Sequence, residues 1–258
     1  MPTGALTGHI DVALVCLYLF WAFFAGLIYY LRREDQREGY DFEPEGQKGD
    51  FLGIFVPPTP TPKTFKLMHG GEVQAPSRSG GDTRPIKGAA PEPFIGSPLS
   101  PTGDNPMLDC IGPASYAERQ DKPDLTYEGA VKIVPLRIAN MYTIADEDDD
   151  PRGYKVIGKD GRVAGTLVEA WVDRAESLIR YYEVELDGGQ HVMLPANFAF
   201  ISPSRKEVTV DSIKAAQFAA VPALKAPDQI TMLEEDMICA YYGGGYFYSD
   251  PSGTEPLL

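Results

Sequence analysis

The run "VALVCLYLFWAFFAGLIYYL", residues 12 to 31, holds twenty consecutive residues without a charge. No other feature narrows the fold so far. At about 1.5 Å of rise per residue, a helix of this length reaches roughly 30 Å, the thickness of a bilayer's hydrocarbon core. Eleven of the twenty are Leu, Ile, Val or Phe, and at about 0.3 to 0.6 kcal/mol each they favour insertion by roughly 3 to 7 kcal/mol. A cleaved signal peptide wants a basic start and a small-residue cleavage site, whereas residues 1 to 10 contain no Lys or Arg. Arg32, Arg33 and Arg37 follow the run. Positive charge stays on the cytoplasmic side, so the expectation is one span, with residues 1–11 periplasmic and everything beyond residue 31 cytoplasmic. Trp21, Tyr29, Tyr30, Arg32 and Arg33 are the candidate membrane-anchoring residues. A lone helix forms no channel, and Ala22 with Gly26 offers a small-residue face for packing on other helices.

The rest of the chain is acidic: 23 Lys and Arg stand against 37 Asp and Glu, a net charge of −14. That balance excludes a nucleic-acid partner, because nothing supplies the basic stripe a phosphate backbone requires. It suits a soluble surface, and also a layer of carboxylates that gathers protons near a membrane. Cys16, Cys110 and Cys239 are too scattered for a disulfide frame or zinc site. His9, His69 and His191 show no ligand spacing.

From Pro44 to Pro113, thirteen Pro and eleven Gly in seventy residues forbid long helices and central strands. The segment is extended, either a linker or a coat ordered by lying on a partner; Phe51, Phe55, Phe65, Leu67, Phe94 and Met107 favour the coat. Beyond Leu125 the texture turns to short β-like runs. Asp160-Gly161 and Gly188-Gly189 each separate two apolar runs, as hairpins do. In "RYYEVELD", Tyr182, Val184 and Leu186 alternate with Tyr181, Glu183 and Glu185, predicting one buried face and one wet face. The pattern suggests a small, strongly bent sheet or barrel. Two helices are expected after it. Asp211 is placed to cap "SIKAAQFAA", stopped by Pro222, and Asp228 to cap "QITMLEEDMICAYY", ended by Gly243 to Gly245. In the second, Ile230, Leu233, Met237 and Tyr241 form one stripe.

Few motifs point to chemistry. "DEDDD" at 146–150 fails as a calcium loop, since Pro151 and Ile157 stand where Gly and Glu are required. "YYGGGYFY" follows no strand, so it reads as a helix stop and not a nucleotide loop. No nucleophile-base pairing suggests a hydrolase. One constellation remains in "EAWVDRAESLIRYYEVEL": Asp173, Glu176 and Arg180 flank a turn between two strands. On an open surface they form an ordinary ion pair. Pressed against a membrane partner, desolvation raises the carboxylate pKa values while Arg180 opposes the rise, which brings a carboxylate toward the range of a proton relay.

"FWAFFAGLIYYLRREDQREGY", "PKTFKL", "GPASYAERQDKPDL", "KIVPLRIA", "DPRGYKVIG", "WVDRAESLIRYYEVEL" and "LEEDMICAYYGGG" together resemble the H subunits of purple bacterial photosynthetic reaction centres, in order from the membrane helix to about Tyr248. The resemblance implies a single N-terminal transmembrane α-helix (12–31), an extended segment lying on partner subunits (32–113) and a mainly-β cytoplasmic domain (114–258). That domain would hold a PRC-barrel-like core at about 150–210 and short C-terminal helices. It implies a non-catalytic subunit in the inner membrane that binds no pigment itself. Its partners would be the L and M subunits, light-harvesting 1 antenna subunits and lipids. The complex would hold bacteriochlorophyll, bacteriopheophytin, quinones, non-haem iron and carotenoid. Family carboxylates help carry protons to the secondary quinone. The matching positions are Asp173 and Glu176, with Arg180 as neighbouring cation, Glu235 in the same cluster and Asp124 nearer the surface. Thr126 and Ala130 stand where some members carry histidine, leaving Glu128 as the acidic group there, and Gln229 stands where some carry a carboxylate. The alternative is a membrane-tethered PRC-barrel adaptor that recruits a soluble protein, with Asp173 and Glu176 as plain surface charges.

Overall fold

A computed structural model describes residues 4, 7, 11–38, 60–77, 84–94 and 96–250; Phe51 and Phe55 lie outside them. The chain forms two compact units, Met1–Asp82 and Thr83–Leu258.

In the first unit, helix α1 runs Val12–Asp35. Its start is fixed by Asp11, whose side chain accepts a hydrogen bond from the Leu14 N–H at 2.8 Å, satisfying one of the free amides of the first turn. No residue of α1 is buried in the chain, as expected of an apolar helix whose solvent is lipid. Trp21 lies near mid-helix against Phe20 and Phe24, with ring centroids 5.5 and 6.0 Å away. It stands nine residues from the start of α1 and fourteen from its end, about 14 and 21 Å along the axis. Strands β1 (Lys63–Lys66) and β2 (Glu72–Ala75) pair antiparallel as a hairpin.

The second unit begins with two-residue strands β3 (Gly88–Ala89) and β4 (Ser100–Pro101), paired with each other, and two short 3-10 turns, the first burying Met107. Met107 is therefore core, not coat. The main sheet holds β5 (Ile133–Pro135), β6 (Lys155–Ile157), β7 (Val163–Asp173), β8 (Leu178–Leu186), β9 (His191–Pro195), β10 (Phe200–Ser202) and β11 (Glu207–Thr209). Their order is β10-β11-β6-β7-β8-β9; β11 and β6 run parallel and the other pairs antiparallel. Strand β7 pairs with β6 along its first half and with β5 at its last three residues. Register shifts on β7 next to Leu167 and Trp171 mark bulges, which bend a sheet. Both hairpin turns are found where their glycines predict them, with Gly161 at φ +72°, Gly188 at +109° and Gly189 at +82°, a region open to glycine at no steric cost.

Helix α2 (Met232–Tyr248) closes the core. Leu167, Trp171, Val184, Leu194, Ile213, Phe218, Ile238, Tyr241 and Tyr242 have no solvent exposure. Several sequence expectations are corrected here. Tyr181 is buried, not wet, because α2 covers that side of β8 and supplies Glu235 and Cys239 as its neighbours. Asp211 caps nothing: Ser212 and Ile213 are fully buried, so only a 3-10 helix, Ala215–Ala220, forms after them. Asp228 pairs with Arg137 at 2.6 Å, and Thr231 with Glu234 makes the capping box of α2. The helix starts two residues after Ile230, so its buried side includes Glu234, Ile238, Tyr241 and Gly245, while Leu233 and Met237 are half-buried. Gly243 to Gly245 lie inside α2 and do not end it.

Candidate functional site

The β7–β8 turn builds the site. Within it Ser177 takes φ +55° and its N–H donates to the Asp173 carbonyl at 2.8 Å. Asp173 at the end of β7 has no exposure. Its Oδ1 accepts from the amides of Ala175 (2.9 Å) and Glu176 (3.1 Å), and its Oδ2 faces Arg180 Nε at 3.3 Å and Lys132 Nζ at 3.5 Å. A carboxylate this buried is tolerated because four donors surround it. Glu176 stands half-exposed beside the turn, joined to Arg180 Nη2 at 2.6 Å.

Lys132 was invisible as a site residue in the sequence, yet it links the group. Its ammonium lies 3.5 to 3.9 Å from Asp173, Asp124 and Glu176. Its backbone is held on both sides, donating to Asp124 O (2.8 Å) and accepting from Arg174 N (2.9 Å). In sequence, "AVKIV" offers only a lone cation among apolar residues; the signal was its position one residue before β5, which pairs with the last residues of β7.

Asp124, Lys132, Asp173 and Arg180 line a cleft of about 630 Å³ that also receives Arg119, Tyr181, Glu235 and Cys239. Arg119 pairs with Asp236 at 3.5 Å. Tyr181 Oη donates to Glu235 Oε2 at 3.1 Å and lies 3.7 Å from Cys239 Sγ. Burial, then the Cys239 thiol and the Glu235 carboxylate, drives the Tyr181 phenol far upward, so it stays a donor. Burial likewise raises Cys239 and Glu235, the hydrogen bond from Tyr181 opposing the rise in Glu235. Of the six residues singled out by sequence, Asp124, Asp173, Arg180 and Glu235 line the cleft, Glu176 is tied to it through Arg180 and Lys132, and Glu128 lies outside it, exposed in the Thr126–Ala130 turn. Thr126 is buried and its hydroxyl accepts from Ala130 N at 3.3 Å.

The sign for Glu235 follows from linkage. Its folded pKa lies above 4.5, so between 4.5 and that higher value the native state binds the extra proton and stability falls as pH rises. We predict that Glu235→Gln flattens this slope while keeping an acceptor for Tyr181. Denaturant unfolding of the full chain at a series of pH values checks it; an unchanged slope contradicts it.

An apolar helix ahead of a bulged sheet with a charged cleft defines a membrane-tethered barrel protein, and residues 145–217 match the PRC-barrel domain. Residues 4–138, over half of the chain, match the family described as photosynthetic reaction centre, H-chain N-terminal region, and the chain belongs to the photosynthetic reaction centre H-chain family. It is thus a single-pass subunit of a photosynthetic reaction centre, associated with the L and M subunits of a cofactor-bearing complex. Membership sets aside the membrane-tethered adaptor that recruits a soluble protein. Among the described residues no group of His, Cys, Asp and Glu is placed to hold a metal ion.

Proposed function

We propose that this subunit caps the cytoplasmic face of L and M, stabilises the complex and conducts protons toward the secondary quinone during light-driven quinone reduction. Arg32 and Arg33 after the span support a periplasmic N-terminus and a cytoplasmic domain in the bacterial inner membrane. Residues 32–113, other than the buried Met107 and the β1–β2 hairpin, serve as a coat on the partner subunits, with light-harvesting 1 antenna subunits and lipids at the periphery.

The observation that carries the relay is the exposure gradient across one charge cluster. The Asp124 and Glu176 side chains are 45% and 49% exposed and Asp173 is 0% exposed, all three within 4 Å of the same Lys132 ammonium. Exposed carboxylates collect protons from solvent, and buried ones pass them on without admitting bulk water. Lys132 and Arg180 lower the cost of holding several anions so close. Glu235, with its raised pKa, can hold a proton at higher pH than a solvated glutamate. The quinones belong to the complex and supply the redox chemistry; this chain's residues bind, orient and pass protons.

The expected result for Glu176→Gln in the intact complex is an unchanged first electron transfer to the secondary quinone. The second, proton-coupled transfer slows on the order of tenfold. Flash-induced absorption measures both steps, and equal rates for both proteins would remove the relay role.

A further inference from the structure

The first unit holds a feature that the relay does not use. Arg37 follows α1 in the basic flank, and it is 9% exposed and fully engaged. Its Nε and Nη2 donate to Glu34 at 2.7 and 3.1 Å, and its Nη1 donates to the carbonyls of Thr61 (2.7 Å) and Ala75 (3.0 Å). Lys63 Nζ also reaches Glu34 at 2.7 Å. Thr61 precedes β1 and Ala75 ends β2, so one guanidinium ties both legs of the hairpin to the last turn of the helix.

That hairpin has no core of its own. Side chains alternate across it, and the register Phe65↔Val73 puts Phe65, Leu67 and Val73 on one face and Thr64, Lys66, Glu72 and Gln74 on the other. The apolar face is open: Phe65, Leu67 and Val73 are 42–45% exposed, and Met68 at the tip 66%. A two-stranded ribbon with an uncovered apolar face is marginal in water, so something covers it.

We propose that the covering layer is the bilayer itself, and that β1–β2 is an interfacial anchor whose apolar face rests at the headgroup–acyl boundary. The inference rests on α1 as a membrane span and is independent of the relay. Position argues for lipid. Glu34 and Arg37 lie one to two turns beyond Leu31, about 5 to 9 Å along the axis, and the headgroup layer is about 5 to 7 Å deep on each side. The clamp therefore fixes the base of the hairpin at headgroup depth, where apolar side chains settle roughly 5–10 Å in. The exposed apolar surface of α1 ends at Leu31, less than two turns below the clamp, so the lipid that covers it reaches the base of the hairpin.

The test uses the full chain in vesicles of phosphatidylcholine and phosphatidylglycerol, with and without the L and M subunits. Single-cysteine versions carry an environment-sensitive fluorophore at Met68→Cys, at Gln74→Cys on the polar face, or at native Cys16, which reports insertion of the span. With Cys16 shielded, the label at 68 is expected to be quenched by lipid-borne spin labels and to be several-fold less accessible to iodide than the label at 74, with no L or M present. Adding Arg37→Met should release the label at 68 to iodide and leave Cys16 shielded; persistent shielding would overturn the clamp. Equal iodide access at 68 and 74 overturns the proposal, and so does shielding at 68 that appears only with L and M, which would assign the face to a protein contact.

Discussion

Asp173→Ala is expected to lower the unfolding free energy by about 3–5 kcal/mol, the cost of breaking a buried charge pair from one side. Alanine leaves the amides of Ala175 and Glu176 without their acceptor. It also leaves Arg180 and Lys132 facing a space from which their counter-charge has gone. Each loss alone costs on the order of 1–3 kcal/mol. Asp173→Asn separates structure from transport. Its Oδ1 still accepts both amides, so the turn persists and the stability loss is smaller, but the amide cannot take up and release a proton. Denaturant titration of the full chain followed by fluorescence of the buried Trp171 measures the first effect. Flash-induced absorption of the complex carrying the Asn variant measures the second, with the proton-coupled transfer expected to slow by an order of magnitude or more. An Asn variant with native rates would leave Asp173 a purely structural anchor of the turn, whatever the Ala variant does to stability.

Much of this cleft was legible because it is local. Asp173, Glu176 and Arg180 are within eight residues of one another, and a turn between two alternating strands brings them together by geometry alone. Lys132 was hidden for the opposite reason: it reaches the same carboxylates through the β5–β7 pairing, a contact forty residues long in sequence that no period reveals. Tyr181 misled because alternation on β8 describes a sheet wet on one face, while α2 covers that face at this point. Asp228 comes first in the chain and has the same capping chemistry, yet only Thr231 has a glutamate three residues on to return the hydrogen bond. The membrane span needed no tertiary information, since its length and apolarity answer to the bilayer and not to the rest of the chain.

The glycine run shows how far tertiary packing can reverse a local rule. Glycine in mid-helix costs about 0.8–1 kcal/mol relative to alanine, so three in succession read as a stop, and by propensity alone filling them with alanine stabilises α2. The structure gives the opposite sign at two of the three. A Cβ at Gly244 would lie 2.6 Å from the Ala114 Cβ, and one at Gly245 would lie 2.6 Å from the Ser212 carbonyl oxygen and also meet Ile213. At Gly243 the nearest atom is the Pro113 carbonyl oxygen at 3.2 Å, a contact that a small shift relieves. The helix tolerates the glycines because they let its backbone approach the Ser212–Ile213 segment and the turn at Ala114. Overpacking costs about 1–3 kcal/mol per site and more for a branched side chain. Gly243→Ala is therefore expected to be near neutral, Gly245→Ala to lose up to about 2 kcal/mol after the propensity gain is subtracted, and Gly245→Val to lose about 3 kcal/mol or more. Unfolding of the three variants in parallel decides it: a rise in stability for Gly245→Ala would mean that α2 and the Ser212 segment are not held in contact, and the close packing of the helix on the barrel core would have to be abandoned.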